Sequence, residues 1–556
     1  MQTPSTALDT AELRKARGAF FTPEPLARYV TDWAVRSVSD KVLEPSCGEA
    51  AFLLASVDRL AALHDAEAEP TTPHLDGVEL HEASAEAARR LLRTAGVDAD
   101  VAAGDFFTFE PTGSYDVVIG NPPYVRYQDF SGENRARSRE AALRAGVPLT
   151  GLASSWAAFT VHAALFLKQG GRLGLVLPAE LLSVNYAAEV RRFLMERFAH
   201  VNLVLFHERV FPGVLEEVVL LLADGYGKGP TDHCRIFEAR NSDDLAGPSV
   251  SRLWKPDTPS AKWTGSLLST AALSAYAGLA EGSDFTTLET WGDTTLGMVT
   301  GNNKYFALSP ARVRELGLAE SDLIQLSPPG SRHLRGLSFT KAAWEELGAS
   351  DSPTYLLRPA EEPSKAARAY IKAGEKAGVD LAYKCRVRKP WWRVPYLKPA
   401  DLFLTYMNAD TPRLSANNAR AHHLNSVHGV YLDPAVRTLG KNLLPLATLN
   451  SMTLLGAETV GRSYGGGMLK IEPKEADLLP VPSPALLTAA KESLSLIRRQ
   501  VASHLRNGRL FDAARLVDDV LLVGRLGIKE SEVTALRDGH ADLMARRAAR
   551  GGKAHG

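Results

Sequence analysis

VLEPSCGEAAFLLASVDRLAALH, residues 42–64, decides the fold. A short apolar run ends in a turn built on Pro45 and Gly48. A segment with apolar residues at helical spacing follows at once. Such a change from a buried run to a 3.6-residue period marks a strand running into a helix. The pattern recurs downstream in LDGVEL (75–80), VAAGDFF (101–107), YDVVIGNPPY (115–124), GRLGLVLP (171–178), HVNLVLF (200–206) and VVLLLA (218–223). Helical stretches such as HEASAEAARRLLRTAG (81–96) lie between them. This alternation predicts an α/β domain, a doubly wound, mostly parallel sheet with helices on both faces. HDAEAEPTTPH (64–74) reads as a surface loop.

After Ala223 the texture changes. GYGKGPTD (225–232) is a Gly/Pro-rich break. Residues 235–482 carry irregular short strands with aromatics beside arginines, and predict a mixed α+β domain. Residues 483–556 read as a helical segment with a basic, Gly-rich tail. The expected division is an extension over 1–17, a first domain over 18–228, a second over 235–482 and the helical segment.

The 556 residues hold 64 Lys plus Arg against 64 Asp plus Glu, so net charge argues neither for nor against a polyanionic partner. Three scattered cysteines, Cys47, Cys234 and Cys385, make no CxxC pair and suggest no zinc ribbon or disulfide framework. The opening residues have no signal-peptide core, and no run approaches the roughly 18 apolar residues of a membrane span. A soluble, cytoplasmic protein without a metal is expected. His422 and His423 have no Cys or carboxylate at ligand spacing.

Three strand tips describe a pocket. Glu44 to Gly48 turns from strand into helix, where a helix N-terminus favours a carboxylate. Glu79 ends the next strand, where an acid can hold ribose hydroxyls, although a solvated helix cap is the commoner role. Asp105 can accept from an adenine amino group and Phe106 offers a flat apolar face; an N-cap Asp with a core Phe is the plain alternative. Together they suit an adenosine carrying a charged amino acid. At the fourth tip stands Asn121-Pro122-Pro123-Tyr124. Two prolines stiffen the backbone and remove two N–H donors, leaving carbonyls as the available groups. An exocyclic amine has its lone pair delocalised into the ring. Hydrogen bonds from its two N–H groups to the Asn121 oxygen and the Pro122 carbonyl would draw the nitrogen toward tetrahedral geometry. Tyr124 would stack on a base rotated out of its duplex.

YKCRVRKPWWRVPYLK (383–398) places Lys384, Arg386, Arg388, Lys389, Arg393 and Lys398 among Tyr383, Trp391, Trp392 and Tyr396, with no acid. This composition suits a groove that neutralises phosphates and packs on sugars or bases. Arg413 and Arg420 sit in a second polar cluster able to reach base edges.

On these motifs the chain resembles the N6-adenine DNA methyltransferases of the gamma-ordered, TaqI methyltransferase-like group. The resemblance implies a Rossmann-like domain binding S-adenosyl-L-methionine, followed by a target-recognition domain. It places Phe21 and Thr22, in GAFFTPEPLARYV (18–30), at the methionine end of the cofactor. It assigns cofactor contacts to Glu44, Ser46, Cys47, Gly48, Glu79, Asp105, Phe106 and Asn121. Catalysis falls on Asn121, Pro122, Pro123 and Tyr124, and Phe211 in ERVFPGVLEEVVLLL (208–222) would stack on the flipped adenine opposite Tyr124. Ala50 departs from the family, which often has a second Gly in this motif. The implied partner is double-stranded DNA, with a separately encoded restriction endonuclease as a companion and a monomer as the working form. Two rivals share the motif or the fold. One is an RNA or protein (glutamine) N-methyltransferase, which would not need the long second domain. The other is a silent DNA-binding subunit, against which the intact Asn121–Tyr124 motif argues.

Overall fold

The computed structural model describes residues 22–64, 73–125, 132–151, 153–208, 210–211, 217–246, 251–359, 362–464 and 467–549. It divides at Leu267 and Leu268 into two compact units.

The first unit is built on a nine-stranded sheet: β1 (Lys41–Glu44), β2 (His74–Glu79), β3 (Asp100–Ala103), β4 (Tyr115–Gly120), β5 (Leu167–Pro178), β6 (Phe198–Phe206), β7 (Val218–Tyr226), β8 (Cys234–Ala239) and β9 (Ser251–Trp254). Their spatial order is β3-β2-β1-β4-β5-β7-β6-β8-β9. β1 pairs parallel with β2 on one side and with β4 on the other, with Val42 opposite Leu75 and Val117. The chain thus leaves β1 in one direction and returns to its other flank. That reversal opens a crevice at the carboxyl ends of β1 and β4, where α/β sheets bind ligands. β7 is antiparallel to both β5 and β6.

Helix α1 (Glu24–Ala34) buries Leu26, Ala27, Val30, Thr31 and Ala34. It lies so close to the sheet that a Cβ on Gly174 would stand 2.7 Å from Val30 Cγ1. A buried ion pair, Arg172 to Asp40 at 2.9 Å, ties the end of α1 to β5, and Arg172 also donates to the Ala34 carbonyl. Helices α2 (Ala51–Leu63), α3 (Glu82–Thr94), α4 (Gly132–Arg144) and α5 (Ser155–Ala164) complete the frame of the site.

The boundary expected near 228–235 moves to Leu267. β8 and β9, assigned from sequence to the second domain, extend the first sheet, β8 pairing parallel with β6 from Val201 opposite Cys234 onward. The Gly/Pro-rich break is a turn within the sheet.

The second unit holds a five-stranded sheet of β10 (Gly292–Leu296), β11 (Ser338–Phe339), β12 (Leu402–Thr405), β13 (Leu414–Asn417) and β14 (Val427–Leu432), in the order β10-β14-β12-β13-β11. Its helices include α6 (Thr270–Ala280), α7 (Ser451–Val460), α8 (Pro484–Arg506) and α9 (Glu530–Ala549). The carboxyl-terminal helices are integral to this unit. α9 packs against α6 and α7. Near its end Arg547, 2% exposed, bonds Glu458 at 2.8 Å and donates to the carbonyls of Ala409, Asp410 and Gly467. The tail beyond 549 lies outside the described residues.

Candidate active site

The crevice at the β1/β4 reversal contains a cavity of about 520 Å³, within the range of small-molecule sites. Thr22, Glu44, Ser46, Cys47, Gly48 and Glu79 contribute to its lining, as do Asn121 and Pro123.

Its floor is the β1–α2 turn. Ala50, the N-cap of α2, takes a left-handed φ of 61° and has no side-chain oxygen to offer the helix. Glu44 supplies that oxygen from the end of β1, accepting from the Leu53 N–H at 3.0 Å. At 2% exposure, burial holds the Glu44 carboxyl well above the usual range; the Leu53 and Phe52 amides oppose this, and the charge of Glu79 adds to it. Gly48 has φ +49°, and a side chain there would project into open space. Cys47 is 3% exposed, and burial pushes its thiol up. Glu79 holds the turn from the side: its two oxygens accept from the Gly48 and His81 amides, each at 3.0 Å.

Asn121 stands at the other wall. Its amide nitrogen donates to Thr22 Oγ1 at 3.3 Å, and its oxygen accepts from the Tyr124 hydroxyl at 2.7 Å. That hydroxyl also lies 2.9 Å from the Val176 carbonyl. The amide is thereby oriented from both ends.

Some expected groups sit elsewhere. Phe21 lies outside the described residues. Asp105 and Phe106 do not line the cavity. Asp105 caps the turn after β3, accepting from the Phe107 N–H at 3.1 Å, and Arg137 of α4 approaches it at 3.7 Å. The Phe106 ring, 4% exposed, packs on Phe159, His162 and Phe166 with centroids 4.7–5.0 Å away, so it presents no open face. Phe211 is 3% exposed and belongs to the core cluster against which Tyr124 also packs.

Other residues come in that sequence reading missed. Leu80 and Leu91 line the cavity yet are 61% and 42% exposed, a flat apolar rim beside Glu79. LDGVEL alone reads Leu80 as core. Ser155, 2% exposed at the start of α5, clamps the Asn121–Tyr124 loop: its hydroxyl donates to the Pro123 carbonyl and accepts from the Val125 N–H at 2.9 Å, while its own N–H donates to the Val125 carbonyl at 3.0 Å. Two turns on, His162 of the same helix bonds the Phe106 carbonyl at 3.2 Å.

In the second unit, Lys384, Arg386, Lys389 and Arg420 are exposed. Arg388 is half-buried, with its guanidinium bonded to the Thr300 carbonyl. Trp391 and Trp392 pack against a core cluster, Trp391 donates to Glu375 at 3.1 Å, and Arg393 lies over Trp392. Arg413 is corrected from a base-reading residue to a structural one: it is 5% exposed and paired with Asp410 at 3.1 Å. His422 and His423 are buried, and burial pushes both rings down, His423 to about 4. Among the described residues, no group of His, Cys, Asp and Glu could hold a metal ion.

Residues 9–252 match the family N-6 DNA Methylase, and residues 260–522 match the family Type II methyltransferase M.Eco57I, C-terminal domain. Over most of its length the chain is similar to curated Type II methyltransferases. It is 24% identical to the Type II methyltransferase M.AccI of Acinetobacter calcoaceticus over 84% of this chain and 85% of that one. It is 26% identical to M.XamI of Xanthomonas campestris pv. amaranthicola over 84% and 85%. The Type IIL restriction-modification enzyme MmeI, solved in complex with DNA, shares the fold with a TM-score of 0.58 at 12% identity, covering 94% of this chain and 75% of that chain. The first match spans the strand tips that border the cavity, and the second ends before α9.

Proposed function

We propose that the chain methylates N6 of adenine in double-stranded DNA, using S-adenosyl-L-methionine held in the β1/β4 cavity. The observation that carries this reading is Asn121: its side chain stands on the cavity wall, oriented by Thr22 and Tyr124, in the rigid Asn-Pro-Pro-Tyr loop. When bound, S-adenosyl-L-methionine supplies an electrophilic methyl group on a sulfonium.

The residues fit that molecule. Glu79 offers carboxylate oxygens for ribose hydroxyls, the Leu80 and Leu91 rim offers apolar surface for a purine, and the space beside Gly48 admits close approach to the backbone. An amide oxygen has two lone pairs. On Asn121 that oxygen accepts from the Tyr124 hydroxyl and would accept from the adenine amine as well. The Pro122 carbonyl accepts the other N–H, and the nitrogen lone pair is freed toward the methyl group. Tyr124 packs on the adenine once that base is out of the stack. Exposed Lys384, Arg386, Lys389 and Arg420 contact DNA. The likeness to Type II methyltransferases supports a role in restriction–modification.

Asn121→Ala tests the reading. Transfer of labelled methyl to duplex DNA is expected to fall by at least about 10²-fold, the scale for losing one oriented catalytic dipole, while cofactor affinity stays within a few-fold. Transfer at the wild-type rate would end the proposal. RNA and release-factor peptides serve as competing substrates.

A further inference from the structure

The segment Val379–Val394 of the second unit combines three properties seldom found together. It is anchored from below. Cys385 and Val394 are fully buried, Cys385 Sγ reaches the Thr300 carbonyl at 3.5 Å, Arg388 is bonded to the same carbonyl, and Trp391 is tied to Glu375. It projects apolar side chains, Leu381 at 70%, Tyr383 at 66% and Val387 at 60% exposed. It interleaves them with the exposed cations Lys384, Arg386 and Lys389, none of which pairs with a carboxylate among the described residues.

Exposed apolar groups on a mobile loop would be unremarkable. Here the anchoring removes the entropy that a loop would lose on binding. A protein partner would set carboxylates against the cations or bury the apolar groups in a flat patch. A polyanion whose interior is an apolar stack satisfies both at once, and nucleic acid is that partner: phosphates for the cations, an opened base step for the apolar tip.

We propose that Leu381, Tyr383 and Val387 form a wedge that enters and unstacks one base step of the bound duplex, with Lys384, Arg386 and Lys389 on the flanking phosphates. This rests on the reading of the chain as a DNA methyltransferase and adds to it a device for deforming DNA.

The test uses the full chain and a duplex carrying the site mapped from adenine methylation in expressing cells. 2-Aminopurine is placed in turn at each position. Wild type is expected to raise fluorescence at the wedged step as well as at the target base. The variant L381A/Y383A/V387A should lose the first signal while keeping its melting temperature and the salt dependence of DNA binding. The variant K384A/R386A/K389A should weaken binding to every duplex and reduce the log–log salt slope by about 2–3, near 0.9 per phosphate contact. An unchanged fluorescence profile in the apolar variant overturns the wedge, as does a loss of self-association by that variant in sedimentation with DNA binding intact. If the wild-type chain methylates no DNA, the functional reading itself fails, an outcome distinct from either.

Discussion

At the cavity floor one buried carboxyl caps a helix, at an electrostatic cost. Glu44 caps α2 because Ala50, in the N-cap position, has no oxygen and sits in a left-handed conformation that costs a non-glycine residue roughly 1–2 kcal/mol. The buried methyl of Ala50 returns about 0.8 kcal/mol against that cost. The cost of Glu44 is electrostatic. Burial raises its pKa, so the folded chain holds this proton to higher pH than the unfolded chain does. Its contribution to stability is complete below the unfolded value, about 4.3, and is lost as pH rises through the folded value. Glu44→Gln keeps an oxygen for the Leu53 amide and has no proton to lose. Its melting temperature relative to wild type is therefore expected to rise steadily from about pH 5 upward, as followed by scanning calorimetry across buffers. A gap that is flat with pH would show that Glu44 is ionised in the fold.

Helix α5 acts on two loops at once. Ser155 at its first turn holds the backbone on both sides of Tyr124, and His162 holds the turn after β3. The loop's stiffness thus comes from two prolines and from a hydroxyl contributed by another element. Ser155→Ala leaves the Val125 N–H and the Pro123 carbonyl without their partner. The expected result is a fall in kcat of about 10–10²-fold, the scale for misplacing a reacting group by about 1 Å, with cofactor affinity unchanged. A defect confined to stability, with full kcat in the folded fraction, would make Ser155 merely structural.

Within the second unit, α9 is stitched to α7 through the buried Arg547–Glu458 ion pair. Removing one partner of such a pair strands the other in a low-dielectric site and costs about 3–5 kcal/mol. Arg547→Ala is expected to lower the urea midpoint of the unit accordingly, by taking the guanidinium away from the buried Glu458 carboxylate. The double variant Arg547→Met/Glu458→Leu should recover most of the loss, because it leaves no unpaired charge. Equal midpoints for wild type and Arg547→Ala would return the carboxyl-terminal segment to the status of an appendage.

The strands up to β4, the turn at Gly48 and the Asn121–Tyr124 motif were legible in the sequence, because each is written in neighbouring residues: apolar period, turn chemistry and paired prolines act over a few positions. The expected roles of Asp105, Phe106, Phe211 and Arg413 were not secured that way. A phenylalanine at a strand tip and an arginine in a polar cluster read alike whether exposed or buried, and the choice depends on what packs over them. Here Phe159, His162 and Phe166 cover Phe106, and Asp410 claims Arg413. The same holds for Ser155, more than thirty positions from the loop it clamps, and for β8, whose place beside β6 depends on long-range pairing. Local sequence determined the elements and the chemistry available at their ends. Tertiary packing decided which of those groups face the cavity, because burial is a property of neighbours distant in the chain.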